Sequence, residues 1–215
     1  MGLFDKLKPL TGPYKDESRN LIYELLFCDD IELYKKNTTQ KDIAPWNILF
    51  ADKPNSGELQ KLIMDENTES RVRLLAYLKL RSAGVEVEAR QLEGVIVEVA
   101  LDDGLDVLAS FRDGTARYIN HSEKMIIWET TDQTSSTLTT QLFRDSSSIV
   151  QRIGPWDKPR LPHPPKGKVR ISFLVSDGIY FGEGEINSFF SEPLAAPALQ
   201  SATALVQYLT TRSEG

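Results

Sequence analysis

The chain contains one cysteine, Cys28, and two histidines, His121 and His163, among 215 residues. A disulfide within the chain needs a second cysteine, so a disulfide framework is excluded, and a cysteine-rich metal centre with it. HExxH and CxxC spacings are both missing, so no metal is expected. There is no GxSxG elbow either, and Cys28 lies in "YELLFCDD", an apolar helical context that suits a buried structural thiol. The only glycine-rich stretch, "YFGEGEI", reads as strand rather than as a loop opening a helix, and its acids repel phosphate. No cofactor is therefore expected. Apolar runs stay well short of the roughly 18 residues that a membrane-spanning helix needs, and no secretory h-region is visible. Basic residues number 25 against 31 acidic ones, for a net charge of -6. A nucleic-acid groove, which needs clustered Lys and Arg to neutralise phosphates, is disfavoured on that ground.

Hydrophobic residues make up 40% and charged residues 26% of the chain, the usage of an ordinary globular protein rather than a disordered one. A chain of this length buries roughly 70% of its unfolded surface, so a sizeable core is expected. A single free cysteine fits a cytoplasmic address, and the sequence as a whole reads as a bacterial-type α+β protein. At the start, "MGLFDKLKPL" gathers Leu3, Phe4, Leu7 and Leu10 on one helical face against Asp5, Lys6 and Lys8. Residues 1–10 thus allow a weak peripheral membrane contact, which Pro9 limits to about two turns. Docking on the protein's own body is the competing expectation.

Residues 14–83 read as helical. "DESRNLIYELLF" spaces Leu21, Ile22, Leu25 and Leu26 at a helical period behind an acidic first turn. Ser56 is expected to cap a short helix carrying Leu59, Leu62 and Ile63. Thr68 caps a longer one with Val72, Leu75 and Leu78 as its stripe and Gly84 as its stop. Between them, "APWNILFADKPN" reads as a short edge strand or loop. This N-terminal helical segment, 1–84, precedes a sheet domain, 85–215, unless the two form one integrated domain.

From residue 93 the period changes to two. Val95, Val97 and Val99 share one face, with Ile96, Glu98 and Ala100 on the other, and turn signals at Asp102–Gly104, Asp113-Gly114 and His121–Lys124 divide the stretch into a four-stranded antiparallel meander. "DGTARYIN" resembles the turn-and-strand signature of WD-repeat propeller blades, but it lacks the Trp-Asp pair. Propellers also need several blades of roughly 40 residues, and no such period recurs. A helix then carries Leu138, Leu142, Ile149, Val150 and Ile153, with Gly154 expected as a left-handed cap. The proline-rich connector "PWDKPRLPHPPKGK" follows, then a hairpin turning at Asp177-Gly178, then a closing helix in which Ala198, Ala202, Leu205, Val206 and Leu209 form the buried stripe. The expected fold is α+β: an antiparallel sheet of about six strands, four-stranded meander plus hairpin, packed by helices mainly on one face.

Two sets of residues carry the functional expectations. Glu183 and Glu185 share one face of a strand, while Gly182 and Gly184 leave the other face bare for a ligand or another backbone. With His121, they are the ionisable groups of a small-molecule-binding protein or hydrolase that uses an open sheet face. The connector carries Lys158 and Arg160 beside Trp156 and has PxxP spacing, which suits a docking segment. Because no catalytic constellation is apparent, the leading expectation is a non-enzymatic cytosolic interaction or adaptor protein that binds a protein partner or itself through Trp156, Lys158 and Arg160. The small-molecule binder or hydrolase is the alternative.

Overall fold

A computed structural model describes residues 12–130 and 132–213. The expected contact through residues 1–10 lies outside them. Among the described residues, no helix is long and apolar enough to cross a membrane.

Five helices come first: α1 (Glu17–Leu25), α2 (Ile31–Asn37), α3 (Trp46–Leu49), α4 (Ser56–Met64) and α5 (Ser70–Ser82). Local capping explains several of the starts. Asp16 accepts from the amide of Ser18, Asp30 from that of Leu33, and Asn55 from those of Gly57 and Glu58, each satisfying amides that have no partner within the helix. The N-cap of α4 is thus Asn55 rather than Ser56, and that of α5 is Glu69 rather than Thr68. "WNIL" is a single helical turn instead of an edge strand. Its Trp46 stacks between Tyr34 and Phe50, an aromatic contact that the local sequence pattern did not register.

Strands β1 (Leu92–Ala100), β2 (Leu105–Phe111), β3 (Ala116–Ile119) and β4 (Met125–Trp128) form the meander. The tight turn into β3 is built on Gly114 at φ 87, where a side chain would be strained. Helix α6 (Gln133–Val150) starts with a capping box between Asp132 and Ser135. Its C-cap Gln151 is right-handed, and Gly154 is not in the left-handed region, so the expected glycine cap is absent. Strands β5 (Lys168–Val175) and β6 (Gly178–Glu185) follow the connector, then the single turn α7 (Ile186–Phe189) and α8 (Ala196–Ser213).

The sheet is antiparallel throughout, in the order β4-β3-β2-β1-β5-β6, which makes β4 and β6 its edges. The α+β class and six-strand sheet are as expected, but helices cover both faces. Ile96, Val107, Ala109, Phe111 and Leu174 pack against α1–α5 through Tyr23, Leu26, Leu49, Leu59 and Leu75. Val95, Val97, Leu108, Ile171 and Phe173 pack on the opposite side against α6 and α8 through Leu142, Ile149, Leu199 and Leu205. The cause lies in β1, where Val95 and Val97 face one side and Ile96 and Ala100 the other, so neither face can be left in water. Each such fully buried aliphatic or aromatic side chain contributes about 1.5–3 kcal/mol of transfer free energy.

The helical layer formed by α1–α5 meets β5 and β6 near their turn, through Leu174 and Ile179; beside that contact, around Ser172 and Phe181, lies a remaining corner. The connector, residues 155–165, crosses that remaining corner as a strap. It is anchored at one end where the Trp156 amide donates to the Ile179 carbonyl at 2.8 Å.

Candidate functional site

The corner under the strap is built from strand periodicity. Arg170 and Ser172 of β5 and Ile179, Phe181 and Glu183 of β6 alternate onto the face that α1–α5 cover elsewhere, with Ser172 paired to Phe181 and Arg170 to Glu183. In "KVRISFLV", Val169, Ile171, Phe173 and Val175 go to the other, fully apolar face. The result is a cavity of ≈ 330 Å³ whose walls include Arg81, Trp156, Lys158, Arg160, Ser172 and Phe181. Arg170, Asp29 and Asp177 also border it.

The strap is held by two arginines. Arg160 Nε donates to Asp29 at 2.7 Å, its Nη2 donates to Glu24, and its guanidinium lies 3.9 Å from the centroid of the Phe27 ring. Burial by itself would lower this guanidinium, but Asp29 and Glu24 raise it well above the ordinary arginine range. From below, Arg170 Nη1 donates to the Pro162 carbonyl at 2.6 Å, while its Nε and Nη2 hold Glu183 at 3.0 and 2.6 Å. The Trp156 indole donates to the Pro159 carbonyl at 3.0 Å and meets Phe181 edge-on at 5.2 Å, giving the cavity an aromatic wall.

Three polar groups at this cavity are uncommitted or nearly so. Ser172 is 2% exposed, and its hydroxyl has no hydrogen-bond partner among the described residues. Arg81, at the C-terminal turn of α5, donates once to the Ser176 carbonyl and has no ion pair among the described residues. Burial pulls its guanidinium below the ordinary arginine range, and Asp177 opposes that shift. Lys158 lies 5.4 Å from the centroid of the Trp156 ring and likewise has no ion pair among the described residues.

Behind Arg170 lies a buried carboxylate. Glu98 of β1 pairs with Arg170 across the strands and is 0% exposed. Tyr23 donates to its Oε1 at 2.6 Å, while Oε2 stands 4.0 Å from Arg170 Nη1 without a hydrogen-bond partner among the described residues. Burial pushes the Glu98 carboxyl above the usual range, against the opposing pull of Tyr23 and Arg170.

Of the residues singled out from the sequence, Trp156, Lys158 and Arg160 come together at the cavity. Glu183 adjoins it but is engaged by Arg170 and, at 3.5 Å, by Lys168. Glu185 is exposed at the start of α7. The bare face of Gly182 and Gly184 is occupied by this chain's own Phe189, to which a Cβ at either glycine would stand only 3.1 or 3.2 Å away. His121 lies in the β3–β4 turn, beside the opposite edge of the sheet. Its Nδ1 is 3.0 Å from Asp106 Oδ1, which also accepts from the His121 amide at 2.6 Å, and the Tyr118 hydroxyl donates to Asp106 Oδ2 at 3.1 Å. The three residues His121, Glu183 and Glu185 therefore share no single site.

Sequence reasoning missed Arg81 and Ser172, and it counted Arg170 with the connector's basic residues and Phe181 with the surface aromatics without placing either beneath the strap. The available signal was the pair of polar residues, Arg170 and Ser172, recurring at period two inside an otherwise apolar strand. Arg81 carried no such signal, because only the tertiary fold brings the end of α5 to the β5–β6 turn.

No family model, curated protein or solved structure matches this chain.

Proposed function

We propose that this protein is a non-enzymatic, cytosolic binding protein that holds a small anionic molecule beneath its proline strap. The observation that carries the reading is a cavity bordered by two cations that lack ion pairs among the described residues, Arg81 and Lys158, onto which the Ser172 hydroxyl opens with no hydrogen-bond partner among the described residues. The cavity volume lies at the small end of the range for ligand pockets, which favours a small molecule over a peptide. Binding is favoured over hydrolysis because Glu183 is neutralised by Arg170 and His121 lies by the far edge.

A thermal-shift screen of the full chain against small anionic, neutral and cationic compounds tests this reading. A ligand that binds only the folded state raises the unfolding midpoint. Anions are expected to do so and their neutral isosteres are not; stabilisation by neutral or cationic compounds alone refutes it.

The reading of a protein partner or second copy draws on a different feature, the unpaired edge of β4, where Ile127 is 55% exposed. Concentration-dependent sedimentation tests it: a single monomeric species at all concentrations counts against self-association.

A further inference from the structure

We infer that the strap cavity is selective for a monocarboxylate carried on a flat apolar group, with Arg81 and Ser172 receiving the carboxylate and Trp156 and Phe181 receiving the flat group. The inference rests on the binding reading above and adds the charge and shape of the ligand.

The charge follows from which groups are already satisfied. Arg160 is matched by Asp29 and Glu24, and Arg170 by Glu183. Among the residues bordering the cavity, that leaves Arg81 and Lys158 as cations and Asp177 as a carboxylate. Asp177 accepts from the Tyr180 hydroxyl at 2.8 Å and from the Arg90 amide at 3.3 Å, with no ion pair among the described residues. At this corner the four cations Arg81, Lys158, Arg160 and Arg170 face the four carboxylates Glu24, Asp29, Asp177 and Glu183, so the positive charge open to a ligand is local to Arg81 and Lys158, and a monoanion disturbs the balance less than a dianion does. A phosphate dianion would bring an excess negative charge into a space that Asp177 already borders.

The donor geometry points the same way. One arm of the Arg81 guanidinium is committed to the Ser176 carbonyl, leaving its other edge as a planar fork that matches the two oxygens of a carboxylate. The Ser172 hydroxyl adds one further donor. The rest of the wall is flat and apolar: Trp156 and Phe181 meet edge-on, and Ile179 and Leu161 adjoin them. Lys158, exposed and lying over the Trp156 ring, screens the mouth of the cavity rather than its floor.

The test is isothermal titration of the full chain with phenylacetate, phenyl phosphate and phenylacetamide. Phenylacetate is expected to bind at least ten-fold more tightly than either of the other two. Arg81→Met and Ser172→Ala are each expected to weaken phenylacetate at least ten-fold and three-fold, respectively. Lys158→Met, at an exposed position that does not put folding at risk, is expected to weaken it less than Arg81→Met and to make binding less sensitive to salt. Tighter binding of phenyl phosphate than of phenylacetate overturns the monocarboxylate assignment while leaving the anion-binding reading standing. Equal binding of all three, or binding of none, overturns both.

Discussion

Replacing Arg160 with alanine tests whether the strap is held as a structural lid. The guanidinium pairs with two carboxylates, Glu24 and Asp29, and all three side chains are between 19% and 26% exposed. An exposed ion pair contributes about 0–1 kcal/mol, whereas breaking a fully buried one costs about 3–5 kcal/mol. These groups are about four-fifths buried, which puts the loss near 2 kcal/mol, and the stacking over Phe27 adds about 0.5–1 kcal/mol. A total of about 2.5 kcal/mol corresponds to a drop in Tm of about 5–10 °C for a protein of this size. The second readout is hydrogen exchange at the Trp156 amide, which donates to Ile179 at the strap's anchor. It is expected to exchange faster in Arg160→Ala, while amides in the centre of β1 and β5 follow only the global stability change. Arg160→Lys keeps the charge but not the fork, and is expected to recover less than half of the loss. An unchanged Tm together with unchanged protection at Trp156 would refute the latch.

Three further outcomes follow from the buried groups. Tyr23→Phe removes the only hydrogen bond to Glu98 among the described residues and leaves its buried carboxyl group without one there, so urea unfolding is expected to show a loss of about 1–3 kcal/mol. The raised carboxyl of Glu98 means that the folded protein retains a proton that the unfolded chain releases in the ordinary glutamate range. Its contribution to stability is therefore fullest below that range and is lost as pH rises towards the folded value; Glu98→Gln should remove this part of the pH dependence, and an identical pH profile in wild type and variant contradicts the assignment. Cys28 is buried and its thiol is pushed up to about 12, mainly by burial, so alkylation at pH 8 should track global unfolding rather than proceed in the native state.

Much of the sheet was legible because its signals are local. Period-two patterning and Asp-Gly turns specify the meander and the second hairpin without reference to the rest of the chain. The two-sided cover was written in the same residues, since Ile96 beside Val95 and Val97 leaves β1 apolar on both faces, but alternation by itself does not say which helices pack where. The α3 turn was misread because its stability comes from Trp46 stacking on Tyr34 and Phe50, contacts between separate segments. For the site, the strap's Trp156, Lys158 and Arg160 stood out by composition. Their partners did not: Arg160 meets Glu24 and Asp29 across more than a hundred residues, and Arg81 reaches the β5–β6 turn only through folding.

The central claim, that a small anion binds beneath the strap, is tested most directly by the indole N–H signals of the three tryptophans in a nitrogen–proton NMR titration with phenylacetate. Trp156 lines the cavity, whereas Trp46 lies in the N-terminal helical layer and Trp128 on edge strand β4, so these two serve as internal controls. The Trp156 signal is expected to shift saturably while the other two stay fixed. A saturable shift at Trp46 or Trp128 with Trp156 unmoved, or no shift at any of the three, would contradict it.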